Sequence, residues 1–259
     1  MERVLVGFIT YAGAKYCREI FVKSIMDLTY PSFDVVAVTN SGEEDKKDLE
    51  KQLAPLKERG CAVTVIVNDK EEKKPLDQVV SNRNILRDYF LSGDWSWLFS
   101  LDNDVTVPSD TIERLFVHKK DLISGVYLAF VKRRDEDPIS VLPCVFISRG
   151  EKSSCQAALI DVLQPRLMEA VVVGFGCTLI KRKYLEAIPF RRYYDEVDGG
   201  KVEESTEDTA FFLDCKEKFD EIPWVDTRVR CKHYKYPLDD KRNSYLDPDC
   251  YQINVKKKE

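Results

Sequence analysis

A chain of 259 residues suits one large domain, or one domain with a small appendage, and is long enough to bury a sizeable core. Hydrophobic residues make up 44% and charged residues 33%, with 11 Gly and 11 Pro, which excludes a disordered polar chain and a fibrous repeat. The net charge of −5, from 40 Lys and Arg against 45 Asp and Glu, gives no broad positive surface for nucleic acid.

Val4 to Thr10 is an apolar run of strand length, and Cys17, Ile20, Phe21, Ser24, Ile25 and Leu28 then recur at helical spacing. Val35 to Val38 predicts a second buried strand, Glu43 to Arg59 an exposed helix and Ala62 to Val67 a third strand. Continuous apolar strands alternating with helices imply parallel strands, because each parallel connection needs a long crossover that lays a helix on the sheet. Val79, Val80, Leu86, Tyr89 and Phe90 predict another helix, and Trp97 to Leu101 a strand that ends in Asp102-Asn103-Asp104. Beyond Pro108, Asp110 and Glu113 have the spacing of a capping box.

From Asp121 the rhythm changes. Leu122 to Phe130, Val141 to Ile147 and Ala157 to Leu163 read as strands of an antiparallel addition, with Lys132 to Pro138 a polar loop. Val171 to Ile180 is an apolar run broken by Gly174 and Gly176, followed by helices near Lys183 to Ala187 and Asp208 to Lys218. Residues 236–259 have weak periodicity and are expected to form an irregular tail. The expected organisation is one catalytic domain over 1–235, with a nucleotide-binding half (1–107) and an acceptor-binding half (108–235).

The N-terminus has no cleavable secretory pattern, and no apolar run reaches the roughly 18 residues of a membrane span. Eight cysteines without a C-x-x-C pair disfavour a zinc knuckle or a redox pair and suggest core thiols in a reducing cytoplasm, a Cys144–Cys155 disulfide staying open.

Gly7, Gly13 and Lys15 nearly form a phosphate-binding loop, but the spacing is wrong and Tyr16 stands where a hydroxyl residue would meet the metal. Asp102 and Asp104 lie two apart at the carboxyl end of an interior strand, where open α/β sheets bind ligands and where hard cations find oxygen. A solvated acidic turn would read the same way. Thr206-Glu207-Asp208 opens a helix, so capping and the helix dipole account for it, while a carboxylate fixed there also suits general-base work. His233 is read as structural or as a ligand, and His118 as a cation complementing a helix C-terminus.

In order, Ser24 to Val38 with its Thr29-Tyr30-Pro31 turn, Asn82-Arg83-Asn84, Leu101 to Asp104 and Thr206-Glu207-Asp208 resemble the motifs of family 2 glycosyltransferases over about residues 4–235. The resemblance implies a GT-A fold, a Rossmann-like three-layer α/β sandwich with a mostly parallel central sheet and a small antiparallel addition. It implies a nucleotide-diphosphate sugar donor, a UDP-sugar favoured, with Mn²⁺ or Mg²⁺. Glycan, lipid-linked or protein acceptors are expected, with peripheral membrane contact open. By the same resemblance Asp102 holds ribose or metal, Asp104 and His233 are metal ligands, and Arg83 neutralises phosphate. Asp208 is the base of an inverting displacement, with Glu207 and then Glu203 and Glu204 next in line. Thr10, Tyr11, Asn103 and the Gly174-Phe175-Gly176 loop belong to the donor site. Where family members carry an acidic pair to read the base, this chain has Thr39-Asn40-Ser41, which leaves Asn40 or Asp69 for that task. A sugar-phosphate nucleotidylyltransferase and a non-catalytic nucleotide-sugar or glycan-binding module are the alternatives.

Overall fold

Strands Val4–Thr10 (β1), Phe33–Thr39 (β2), Val63–Val67 (β3) and Trp97–Asp102 (β4) form the parallel half of an eight-stranded sheet, in the order β4-β1-β2-β3. The computed structural model describes residues 1–131, 140–150, 154–197 and 201–251, with backbone only at 194–197 and 201–204. The predicted loop 132–138 and the lysines at 256–258 lie outside the described residues.

Beyond β4 the sheet continues with Cys177–Lys181, Leu122–Val126, Trp224–Arg230 and Leu167–Glu169. Cys177–Lys181 runs antiparallel to both β4 and Leu122–Val126. The apolar run broken by Gly174 and Gly176 thus enters the middle of the main sheet as an antiparallel strand, and its register, Cys177 opposite Leu101, carries Gly176 to the Asp102 end of β4.

Alternate strand residues feed two cores. Phe8 and Phe99 pack with Leu49, Leu53 and Leu56 on one face, whereas Leu5 and Leu98 pack with Leu86, Phe90 and Phe211 on the other. The first face is covered by helices Lys15–Met26 (α1), Gly42–Glu58 (α2) and Thr111–Phe116 (α4). The second is covered by Pro75–Ser92 (α3), Arg182–Ala187 (α6) and Glu207–Phe219 (α7), giving three layers. Each fully buried Leu or Phe contributes roughly 1.5–3 kcal/mol, against tenths for an exposed ion pair, so the apolar stripe of the charge-rich α2 fixes its position.

Several elements differ from expectation. Leu122 to Phe130 breaks after Val126, and Leu128–Val131 pairs instead with Ser140–Pro143. Residues 141–147 likewise divide between Ser140–Pro143 and Val145–Ser148. Leu159–Leu163 (α5) is helical rather than extended, with Asp161 Oδ2 accepting from the Ala158 N–H at 2.9 Å. The capping box before α4 does not form, because Glu113 Oε1 accepts from Thr29 Oγ1 (2.8 Å) and Asp110 Oδ2 from Arg114 Nε (2.8 Å). His118, just past the end of α4, pairs through Nε2 with Asp226 Oδ2 at 2.8 Å. After residue 236 the described chain forms 3₁₀ turns at Lys241–Leu246 and Pro248–Cys250, and Leu246 is fully buried. All eight cysteines are free thiols, and no helix among the described residues is long and apolar enough to cross a membrane.

Candidate active site

The carboxyl ends of β1, β2 and β4 open on a cavity of about 710 Å³. Thr10 ends β1 and Tyr11 follows it, Asn40 follows β2, Glu71 to Lys73 precede α3, and Gln78, Asn82 and Arg83 project from it; the turn Asp102 to Asp104, Glu207 and Lys235 also line the cavity. This is the crevice where open α/β sheets place ligands. Tyr11 is half-exposed at the rim, and its loop is steadied from below by the buried Arg18, which donates to the Tyr11 carbonyl (3.2 Å) and pairs with Asp45 (2.7 Å).

Arg83 is only 3% exposed, and both terminal nitrogens of its guanidinium are hydrogen-bonded within the protein. Nη2 donates to Asp102 Oδ1 at 2.6 Å and Nη1 to Ser100 Oγ at 2.9 Å, the two residues that one face of β4 presents toward α3. Nε faces Glu207 Oε1 at 3.5 Å without a hydrogen bond, and the group lies over the Phe175 ring, 5.1 Å from its centroid. Arg83 thus links Asp102 and Glu207 at the wall of the cavity it lines.

Asp104 is reached from the other side. Val105–Thr106 pairs antiparallel with Lys232–His233, and the Tyr234 N–H donates to the Asp104 carbonyl at 2.7 Å. This bridge delivers His233 Nε2 to 3.3 Å and Lys235 Nζ to 2.6 Å from Asp104 Oδ2. Burial pushes the Asp104 carboxyl up, but His233 and Lys235 outweigh it and hold the group well below the usual carboxylate range. His233 Nδ1 lies 2.7 Å from the Leu128 carbonyl, which can only accept, so Nδ1 carries a proton and the ring is oriented with Nε2 toward Asp104.

A carboxylate oxygen suits Mn²⁺ or Mg²⁺, which takes its other ligands from phosphate and water, and an imidazole nitrogen beside it favours the softer Mn²⁺ of the two. The donor chemistry of Asp104 and His233 fits such an ion. Among the described residues no three or more His, Cys, Asp and Glu side chains converge as a metal-binding group. Asp102, the third expected ligand, is turned to Arg83 and to Tyr127, whose Oη donates to Asp102 Oδ2 at 3.5 Å.

At the start of α7, Glu207 is 8% exposed, and burial pushes its carboxyl up to about 7; Arg83 opposes this, while Asp208 and Asp102 add to it. Asp208 is also raised, first by burial and then by Asp102, against hydrogen bonds from the Thr206 hydroxyl and from the Thr209 N–H at 2.7 Å. Thr206 therefore serves Asp208 and does not cap the helix with its own side chain.

Other expected site residues are placed differently. Asn103 Nδ2 donates to Thr10 Oγ1 at 2.9 Å, which braces the acidic turn against β1. Gly174 and Gly176 do not line the cavity: a Cβ on Gly174 would stand 1.9 Å from Tyr127 Oη, and one on Gly176 2.7 Å from the Tyr127 ring. The room expected for a donor sugar is filled by Tyr127, whose Oη accepts from the Gly176 N–H at 3.1 Å. Asp69 is exposed and outside the cavity, and its neighbour Asn68 turns inward instead. The side chains of Glu203 and Glu204 lie outside the described residues.

Sequence reasoning missed Tyr127 and Lys235. Tyr127 sat within an apolar run and read as core, and Lys235 fell where helical and strand periodicity gives out.

No known family description and no curated protein matches the sequence. Solved structures do match in fold. GalNAc-T7 with UDP, GalNAc and Mn²⁺ superimposes with a TM-score of 0.58 at 14% identity, over 92% of this chain and 45% of that one. S. aureus TarS 1-349 with UDP-GlcNAc gives 0.51 at 15% identity, over 87% of this chain and 56% of TarS. The chain thus spans about half the length of each. With an eight-stranded, largely parallel sheet sandwiched by helices and its crevice at the strand ends, the chain has the fold of GT-A glycosyltransferases.

Proposed function

We propose that the chain is a metal-dependent, inverting glycosyltransferase that moves a sugar from a nucleotide-diphosphate donor to an acceptor hydroxyl. The observation that carries this reading is the division of one cavity into two charged ends. Asp104 and Lys235, with His233 behind Asp104, form a cation and diphosphate end, and Glu207, tied through Arg83 to Asp102, forms an acidic end, with Asp208 next to Glu207 in sequence and outside the lining. The fold, shared with proteins solved with UDP, UDP-GlcNAc and Mn²⁺, raises the prior by analogy.

In this reading Asp104 and His233 hold Mn²⁺ or Mg²⁺, and Lys235 turns to the phosphates. The bound ion supplies charge neutralisation for the departing nucleoside diphosphate. Lys235 adds a positive charge that is worth more as negative charge builds on the leaving oxygens than in the ground state. Arg83 keeps Asp102 and Glu207 in place without giving up its own burial. Asp208 takes the proton of an acceptor hydroxyl approaching the anomeric carbon opposite the leaving group, and a single displacement inverts that centre. Its raised carboxyl matches the need for a base poised toward neutral pH.

Incubation with a panel of nucleotide sugars and Mn²⁺ tests the reading. Slow donor hydrolysis that chelation abolishes supports the transferase. Pyrophosphate-dependent exchange would assign a nucleotidylyltransferase, and donor binding without turnover, with acceptors present, a binding module.

A further inference from the structure

The Lys70 N–H donates to Asn68 Oδ1 at 3.1 Å, and the Glu72 N–H donates to Gln78 Oε1 at 3.0 Å. A backbone N–H can only donate, so these two bonds settle which atom of each side-chain amide is oxygen. The amide nitrogens of both residues must then point the other way, and both meet the same atom: Asn68 Nδ2 lies 2.7 Å and Gln78 Nε2 3.3 Å from Asn82 Oδ1. With its oxygen accepting twice, the Asn82 amide has one orientation left, with Nδ2 turned away from Asn68 and Gln78.

Asn82 is 3% exposed and lines the cavity. Its Nδ2 has no partner among the described residues, yet it is not among their sealed, unpartnered polar atoms. The small accessible part of this residue is therefore an NH₂ group showing its donors to the cavity. The sheet order separates the β3 end, where Asn68 sits, from Asp102 at the end of β4 by three strand spacings, roughly 14 Å. A diphosphate held at Asp104 and Lys235 would put its nucleobase on the amide side.

We infer that Asn82 reads the donor's nucleobase and selects a base with a carbonyl oxygen on the edge it presents, uracil or guanine, over the amino-bearing cytosine and adenine. A carbonyl accepts from the fixed NH₂, whereas an exocyclic amine would face it donor to donor and leave both desolvated without a partner. The amide cannot flip to rescue the contact, because its oxygen is committed to two donors whose own orientations are set by backbone. This inference rests on the donor-site reading above and adds the residue and the chemistry that choose the base.

Calorimetric titration of the full chain with UDP, CDP, GDP and ADP, each with Mn²⁺, is the test. Within one ring size the members differ chiefly at the edge in question and share ribose and diphosphate. UDP is expected to bind roughly 10-fold or more tightly than CDP, or GDP than ADP, and the two comparisons distinguish a pyrimidine from a purine site. Asn82→Asp keeps an oxygen for Asn68 and Gln78 but turns an acceptor to the cavity, so it should erase or reverse that preference. The ratio is unaffected by the added negative charge, which both nucleotides feel alike. Equal affinities within both pairs, or an unchanged ratio in a folded Asn82→Asp, would overturn the inference while leaving the donor site standing. Should none of the four bind, the donor-site reading falls and this inference with it. If Asn82→Asp does not fold, the wild-type panel alone decides.

Discussion

The Lys235 ammonium stands 2.6 Å from Asp104 Oδ2, so the carboxylate that faces His233 is already bonded to a cation of the protein itself. Lys235 is 45% exposed and Asp104 only 14%, which makes the lysine the partner free to move. A metal on Asp104 would displace the ammonium toward the phosphates that arrive with it. In the proposed reading one side chain would hold the acidic turn before binding and meet the diphosphate afterwards.

Replacing Lys235 by Met keeps the apolar stem and removes the charge. Mn²⁺ alone should then bind several-fold more tightly, since its competitor is gone, while UDP in the presence of Mn²⁺ should bind more weakly. Both are read by titration calorimetry. A fall in Mn²⁺ affinity would show that the ammonium does not compete for Asp104.

Arg83→Lys tests the tie between the acidic residues. A lysine is a single point donor and cannot span Ser100, Asp102 and Glu207, which the planar guanidinium reaches at once. Removing one partner of a buried pair commonly costs about 3–5 kcal/mol, and the partial exposure of Asp102 puts this case near the lower figure. Chemical denaturation should show that loss, with weakened donor binding in any folded fraction. A variant as stable as the parent would leave Arg83 without its tying role.

The parallel half of the fold was legible because β1, β2 and β4 are nearly all buried and read as continuous apolar runs separated by amphipathic helices. The acidic turn followed from its place at the end of β4. The antiparallel half was less legible: Leu122 to Phe130 looks like one run, and only pairing with Cys177–Lys181 and Ser140–Pro143 breaks it at Tyr127. At the site, residue type was readable but partner was not. Nothing local says that Arg83 is consumed by Asp102, 19 residues away, or that Lys235 meets Asp104 across 131. The glycines stood out in the sequence, but what they make room for is the Tyr127 ring from a distant strand end.

Glu207 gives stability a pH dependence of known sign. Its folded-state carboxyl lies at about 7 against an ordinary 4.5, so its contribution is fully present below about 4.5 and is lost as pH rises through 7. Above 7 the buried charge, with Asp208 and Asp102 nearby, costs at most about 3 kcal/mol after Arg83 is counted. Glu207→Gln should melt higher than wild type at pH 8, and the gap should close as the pH falls to 5. Thermal melts across that range measure it. A gap that stays constant would mean that Glu207 does not titrate there.

Asp208 and Glu207 are adjacent and both raised, so the assignment of the base depends on what each loses when its charge is removed. Asp208 accepts from the Thr206 hydroxyl and the Thr209 N–H, and asparagine can keep both through Oδ1. A structural Asp208 would therefore tolerate the change to asparagine at a cost of about 1 kcal/mol or less, and relief of repulsion from Asp102 would offset part of it. Asparagine cannot take a proton. The proposed mechanism predicts that Asp208→Asn keeps its melting temperature and donor affinity but loses transfer by roughly 10²-fold or more. Glu207→Gln, run beside it, should lose less in transfer while shifting its pH profile, because it alters the field on Asp208 and the hold on Arg83. Rate and melting temperature are measured on one preparation with a true acceptor. Near-native transfer by Asp208→Asn, with the large loss appearing in Glu207→Gln, would move the base one residue toward the cavity and leave Asp208 as the start of α7 and nothing more.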